Sequence, residues 1–503
     1  MSRYPSVKGQ ITRRLALFAG GAAVGGYLGT KVANKVPSIA GTTSLRPAGA
    51  PDTLNDASLL SETPVYRHTV VKEEPGELLY QRIRDEMGQA DLVSRPFNIG
   101  AARHSMGGHA IPPEGHAVTF DNDKVQPILA EGIYRVHPGA RWSEVIRRLD
   151  AIGMSPKIMQ SNNDFGVAAT FCVNAHGWPV SYGPMGSSVQ EFEIVRPDGE
   201  LVRASRFENS ELFEMTMGGY GLTGAIVDMK VEMVPNKRLV PTFQKMSSKD
   251  FAQFFVGALD AGDVEMAYGR LNVDRETFFE DALMITYRAA SNQEDLPRAT
   301  GSGAVSHASA RVFRAQLHNE PIKDLRWWFE TSLGPSVAGG EVTRNSLLNE
   351  PVVTLDDRDP NRTDILHEYF VPPGRFPEFV AACQEIIPSS YQELLNITLR
   401  YVLADRESVL PYASGNRIAC VMLFSQELTE RAEIDHQRVT RALIDRVLDM
   451  GGNYYLPYRP HATRDQFLKA YPRAPEFAAR KMELDPKKLF RNAFWDNYLE
   501  GLA

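Results

Sequence analysis

Between Asn98 and Ala110 the chain sets one hydroxyl and two imidazoles, Ser105, His104 and His109, among glycines and alanines. Small side chains let backbone N–H groups approach a phosphate, and an imidazole or hydroxyl beside them can act on a ring. Two more stretches of this kind follow: Gln160 to Gly177, which ends in Asn174, Ala175, His176 and Gly177, and Gly218 to Gly224. One such loop is ordinary in any fold. Three in one lobe are hard to explain on structural grounds alone.

The elements that must hold these loops are legible as alternation and helical spacing. Arg67 to Val71 reads as a strand, Glu77 to Met87 as a helix, and Pro96 to Gly100 as a strand entering the first loop. A strand at Tyr134 to Val136 ends in a tight turn at Pro138-Gly139, and Trp142 to Leu149 is an amphipathic helix. Glu191 to Val195 and Leu201 to Ala204 flank Pro197, Asp198, Gly199 and Glu200 as a hairpin, and Ala225 to Met233 is a strand. After Pro235 the character changes to aromatic-rich segments with helices at Asp250 to Leu259 and Arg431 to Leu448. The expected organisation is a leader over 1–36, a linker over 37–64, a first lobe over 65–236, a second lobe over 237–450, and a tail over 451–503 that returns to the first lobe.

Taken in order, these motifs resemble the flavoprotein superfamily of vanillyl-alcohol oxidase and p-cresol methylhydroxylase, in particular its cytokinin dehydrogenase, aldonolactone oxidase and alditol oxidase branches. Ala101 to Ser105, with Gly107 and Gly108, matches the family's G-x-R-H-S form, Ala101 standing at the leading glycine. Pro138-Gly139-Ala140-Arg141-Trp142 matches P-G-A-x-W, and Leu484-Asp485-Pro486 through Phe490 and Asn492 matches a closing D-P-x-x-x-F-x-N. The resemblance implies an α+β fold: a two-lobed PCMH-type FAD-binding domain, plus a cap domain whose antiparallel sheet is flanked by helices. It implies FAD held by Ala102, Arg103, His104, Ser105, Met106, Gly107, Gly108, Asn174, Ala175, His176, Gly177, Gly221, Gly224, Ile226 and Asn492. Many relatives bond this histidine to the flavin 8α-methyl carbon. That chemistry needs a neutral imidazole, so His104 is read either as the covalent attachment or as a loop histidine beside noncovalent FAD. Cys172 reads as a core thiol, and no metal site is expected.

The substrate lobe matches less completely. Arg400 stands where sugar-oxidising relatives carry the arginine of E-x-R, but Thr398 replaces the glutamate, which weighs against sugar-like donors. Arg459-Pro460-His461 and Arg464 resemble R-P-H-W-G-K, with Ala462 at the tryptophan and Arg464 at the lysine. Arg400, His461 and Arg464 are therefore the expected catalytic residues, with Tyr401 and Tyr458 as further choices of base; Arg400 reads equally as a strand arginine paired across the sheet. The implied reaction is hydride transfer from a carbon bearing OH or NH to flavin N5, with reoxidation by oxygen or another acceptor. The alternatives are an envelope dehydrogenase feeding a quinone or protein partner, and a flavin-binding module without chemistry.

The bulk numbers are compatible with all three. A chain of 503 residues is long enough for two or more packed units, and 55 basic against 62 acidic residues, a net −7, argues against a nucleic-acid surface. Thr12-Arg13-Arg14-Leu15, a glycine- and alanine-rich apolar run to Leu28, then Lys31 and Lys35 match a twin-arginine export signal. The run is shorter than a helix needs to cross a bilayer. The expectation is export to the periplasm, with the leader either removed or kept as a membrane tether.

Overall fold

The computed structural model describes residues 43–300, 313–333, 340–352 and 359–503. The expected leader lies outside them. A three-stranded parallel sheet opens the cofactor lobe: β1 (Arg67–Val71), β2 (Phe97–Gly100) and β3 (His116–Phe120), in the order β1-β3-β2. Helix α1 (Glu77–Leu92) crosses from β1 to β2 because Leu79, Ile83, Met87 and Ala90 recur on one face and bury against Phe97 and Val118. This small layer carries the first loop at the end of β2.

The second layer is antiparallel: β4 (Val125–Ile128), β5 (Ile133–Val136), β6 (Met154–Pro156), β7 (Val189–Val195), β8 (Leu201–Ser205) and β9 (Ala225–Pro235). Its order is β8-β7-β9-β5-β4, with β6 also paired to β9. The β7–β8 turn is set by Gly199 at φ 83° and by Asp198, whose Oδ1 accepts from Glu200 N at 3.0 Å. Helix α2 (Trp142–Asp150) buries Trp142, Val145, Ile146 and Leu149, the i, i+3, i+4, i+7 set of a one-sided helix. Helix α3 (Val167–Cys172) follows and leads into the Asn174–Gly177 turn.

The cap is one eight-stranded sheet: β10 (Arg238–Ser247), β11 (Val264–Leu271), β12 (Asp281–Ala289), β13 (Val342–Thr343), β14 (Arg362–Val371), β15 (Glu393–Val402), β16 (Arg417–Glu427) and β17 (Asn453–Tyr454). The order β13-β10-β12-β11-β15-β16-β14-β17 is antiparallel throughout. Helices α4 (Ser248–Asp260), α5 (Phe376–Ile386) and α6 (Glu430–Asp449) cover the face away from the cofactor lobe, with Phe251, Phe255, Phe379, Leu443 and Val447 in a common core. Thr429 caps α6 by accepting from Ala432 N at 3.3 Å.

Both ends of the described chain tie the lobes together. The tail returns to β2, where Phe97 N donates to Leu489 O at 2.6 Å. Asp485 fixes that turn by accepting from Leu489 N at 2.9 Å and Phe490 N at 2.8 Å. The described part of the Ser-, Thr- and Pro-rich stretch read as a linker forms a strap. Leu45 N donates to Leu428 O at 2.9 Å on the cap, and Ala57 N donates to Arg103 O at 3.0 Å in the first loop. No described helix is long and apolar enough to cross a membrane.

Candidate functional site

A cavity of about 330 Å³ lies between the cofactor lobe and the cap sheet, and its walls are the three small-residue loops. The first loop leaves β2 at Gly100 and turns at Arg103, whose φ of 51° is unusual for a side-chain-bearing residue. Arg103 folds beneath it, donating from Nη2 to Thr119 Oγ1 at 2.8 Å. Burial, and then the charge of Arg141, pull its guanidinium down to about 10. Arg103 Nε and Arg141 Nη1 are both buried without a hydrogen-bond partner. Two half-buried cations with open, buried donors call for an anion between the loops, and pyrophosphate has the matching charge and oxygen acceptors. The N–H groups of Ala102, Arg103 and Ser105 donate to no described residue, so they too are available to phosphate oxygens. The residues present fit FAD.

Ala102, Arg103, His104, Ser105 and Met106 line the cavity, as do Ala175, His176, Gly221, Gly224 and Ile226. The His104 ring stacks on Phe165 with centroids 4.2 Å apart. The remaining expected cofactor residues stand just behind this wall. Gly108 N donates to Asp56 Oδ2 at 2.8 Å, and a Cβ on Gly107 would come within 2.7 Å of Tyr458 O. Asn174, at φ 46°, accepts from Gly186 N at 2.8 Å and donates to Asp405 Oδ2 at 3.0 Å. Gly177 packs directly on the Met159 carbonyl. Asn492 joins two loops, donating to His109 O at 2.7 Å and Tyr220 O at 2.9 Å. Ala57 of the strap and Cys172 also reach the cavity wall; burial pushes the Cys172 thiol up to about 12, which keeps it protonated.

The cap contributes one face of its sheet. Arg400 lines the cavity from β15, donating from Nη1 to His176 O at 3.2 Å and from Nη2 to Ser161 Oγ at 2.9 Å, while its Nε has no partner. Beside it is a carboxylate that sequence reasoning missed. Glu368 of β14 is 2% exposed and hydrogen-bonded to His176 Nε2, and Tyr458 OH donates to its other oxygen at 3.3 Å. Only strand register could have revealed it, because no local motif surrounds it.

Two expected catalytic residues are not part of this wall. His461 is turned into the α6 layer, where Nε2 meets Glu433 Oε1 at 3.0 Å and Nδ1 meets Thr440 Oγ1 at 3.1 Å; burial lowers its basicity. Arg464 begins an outer helix, Arg464–Ala470, and donates to Glu500 O at 2.6 Å. Tyr401 hydrogen-bonds to Asn416 at 3.1 Å and is also outside the cavity lining, whereas Tyr458 is within it.

The two-layer lobe with three phosphate-ready loops, closed by an antiparallel cap, defines a class. The chain is similar to the PCMH-type FAD-binding flavoproteins, a family of FAD-dependent oxidoreductases, and its cofactor is FAD. Residues 81–205 match a family model described as an FAD binding domain. Alditol oxidase of Streptomyces sp. (strain IKD472 / FERM P-14339) is 29% identical over 427 residues, covering 82% of this chain and 93% of that protein. Cytokinin dehydrogenase 1 of Arabidopsis thaliana is 28% identical over 159 residues, 30% of this chain and 27% of that protein. Cytokinin dehydrogenase 5 of the same plant is 24% identical over 238 residues, 46% of this chain and 43% of that protein. The matches therefore span less than half the length of these two cytokinin dehydrogenases.

Proposed function

We propose that this protein oxidises a small organic donor at a carbon bearing a hydroxyl or amino group. Bound FAD supplies a two-electron acceptor that takes a hydride at N5. The observation that carries the reading is the meeting, in one cavity, of the FAD loops with Arg400, Glu368 and Tyr458 of the cap. A site that only stored flavin would have no need of a buried guanidinium and carboxylate on its substrate side, since burying both is costly unless they act or are fully paired. Arg400, held by His176 O and Ser161 Oγ on the cavity wall, keeps its Nε without a partner, and a guanidinium there can orient a polar substituent. Anaerobic mixing of the yellow protein with a panel of primary alcohols, secondary alcohols and amines tests this directly. Bleaching of the flavin absorbance is expected with at least one class, and a wild-type protein that none of them bleaches is the flavin-binding module instead. Hydrogen peroxide on readmission of oxygen marks an oxidase; its absence, with turnover restored by a soluble quinone, marks an envelope dehydrogenase.

FAD is covalently attached through His104 in this proposal. The loop that presents His104 lines the cavity, and the ring is held flat against Phe165. On a denaturing gel the wild-type band is expected to fluoresce and the His104→Ala band to be dark. A dark wild-type band would leave FAD noncovalent. The segment 1–36 is proposed to direct export by the twin-arginine route to the periplasm, with retention as a tether if it is not removed; replacing Arg13 and Arg14 by Lys should then hold the protein in the cytoplasm.

A further inference from the structure

The cap sheet offers a carboxylate in the very row where the E-x-R pattern lacks one. Register pairs Glu368 with Val421 and Val421 with Thr398, so Glu368 and Thr398 stand two strands apart in one row, on the face that lines the cavity. Thr398 occupies the position of the missing glutamate, and Glu368 reaches the same wall from β14. The strand between them contributes only Val421 to that row.

We propose that Glu368 accepts the proton released by the donor's O–H or N–H group, with the Tyr458 hydroxyl as the conduit. This rests on the hydride-donor reading above. Tyr458 lines the cavity and donates to Glu368 at 3.3 Å, so its oxygen can take the donor's proton while its own proton passes to the carboxylate. The donor loses a C–H hydrogen with its electron pair, for which FAD is the acceptor, and one O–H or N–H proton, for which Glu368 is the acceptor. The C–O or C–N bond becomes double, and Glu368 ends as a neutral carboxylic acid.

The surroundings favour Glu368 over its neighbours. Arg400 is protonated throughout and has no lone pair to offer. The His176 ring is caged by Phe370, Tyr412 and Tyr455, with centroids 5.4, 6.0 and 6.2 Å away, and its Nε2 is spent on Glu368. His176 is therefore a positioning residue that fixes one carboxylate oxygen and leaves the other to Tyr458. The Arg400 guanidinium shares the cavity wall with this carboxylate.

The test is rapid anaerobic mixing of FAD-loaded Glu368→Gln, Tyr458→Phe and the wild type with a donor that bleaches the wild type. Glu368→Gln is expected to bleach roughly 10²- to 10⁴-fold more slowly, the usual worth of a positioned proton acceptor. Its FAD content and its dissociation constant for the donor, read from the flavin difference spectrum, should stay within about threefold of wild type, since the Gln oxygen can keep the His176 bond and its NH2 can donate to the Tyr458 oxygen. Thr398→Glu in the Glu368→Gln background should recover at least about tenfold in rate, because it returns a carboxylate to the same row. Bleaching of Glu368→Gln at the wild-type rate overturns the relay and leaves the hydride-donor reading standing. A loss confined to donor affinity also overturns it, as that marks a binding role. If no donor bleaches the wild type, both readings fall together.

Discussion

Alanine at position 177 is expected to leave a protein that does not retain FAD and melts well below the wild type. A Cβ there would lie 1.7 Å from the Met159 carbonyl oxygen and 2.6 Å from its carbon, so backbone, and no flexible side-chain tip, must move. Overpacking of this kind costs about 1–3 kcal/mol even where side chains can yield. Here the displaced loop segments carry the site itself. Arg400 ties His176 O on one side to Ser161 Oγ on the other, and moving 177 away from 159 pulls these two anchors apart. The Ala175–His176 wall of the cavity opens with them. FAD content after gel filtration is expected to fall below about a tenth of wild type, with a loss of roughly 3 kcal/mol in stability. Gly257→Ala in α4, where a Cβ meets nothing within 4 Å, is the control and should match or slightly exceed wild type. A Gly177→Ala protein that purifies fully yellow, with an unchanged melting temperature, would show that this contact does not hold the loop.

The cofactor half of the site is legible in the sequence because its information is local. Backbone N–H groups bind phosphate through small residues in short runs, so Ala102 to Ser105, Ala175 and Gly221 to Gly224 announce themselves, and their hairpins and helices follow from alternation and 3.6-residue spacing. The substrate half is built from register. Arg400 could be read from a strand motif, but Glu368 reaches the same wall only because β16 pairs with both β14 and β15, a fact of long-range pairing that no window of sequence contains. His461 and Arg464 show the converse. Their motif is present, yet each cation or ring is claimed by a partner the motif does not mention, Glu433 and Glu500 respectively. The strap is a third case. A Ser-, Thr- and Pro-rich composition reads as linker, but Asp56, Ala57 and Ser58 become structure by bonding to Gly108, Arg103 and Thr363 from elsewhere in the fold.

Glu433 binds that strap, the flavin loop and the cap helix into one unit, and Glu433→Ala is expected to loosen all three. Burial alone would push its carboxyl upward. The hydrogen bond from His461 and the charge of Arg459 override this and hold it well below the usual carboxylate range. Arg459 donates to Glu433 Oε1 from Nε at 3.0 Å and Nη2 at 2.7 Å, while its Nη1 reaches Ser61 Oγ at 3.1 Å and Met106 O at 3.3 Å. Removing the carboxylate strands a half-buried guanidinium between the strap and the His104 loop, a loss on the order of 3–5 kcal/mol. The expected drop in melting temperature near neutral pH is on the order of 5–10 °C, with less FAD retained after dialysis. The pH dependence separates this carboxylate from the buried imidazoles. Burial lowers His109 and His436 to about 3 and His137 to about 4, so these groups stabilise the fold above about pH 6.5 and lose that contribution as pH falls toward their folded values. Glu433, also depressed, contributes fully above about pH 4.5 and loses its share only below that. Wild type and Glu433→Ala should therefore both soften from about pH 7 to 5, with the gap between them closing only under more acid conditions. A variant that melts with the wild type at neutral pH, or a gap that closes already near pH 6, would remove Glu433 as the anchor.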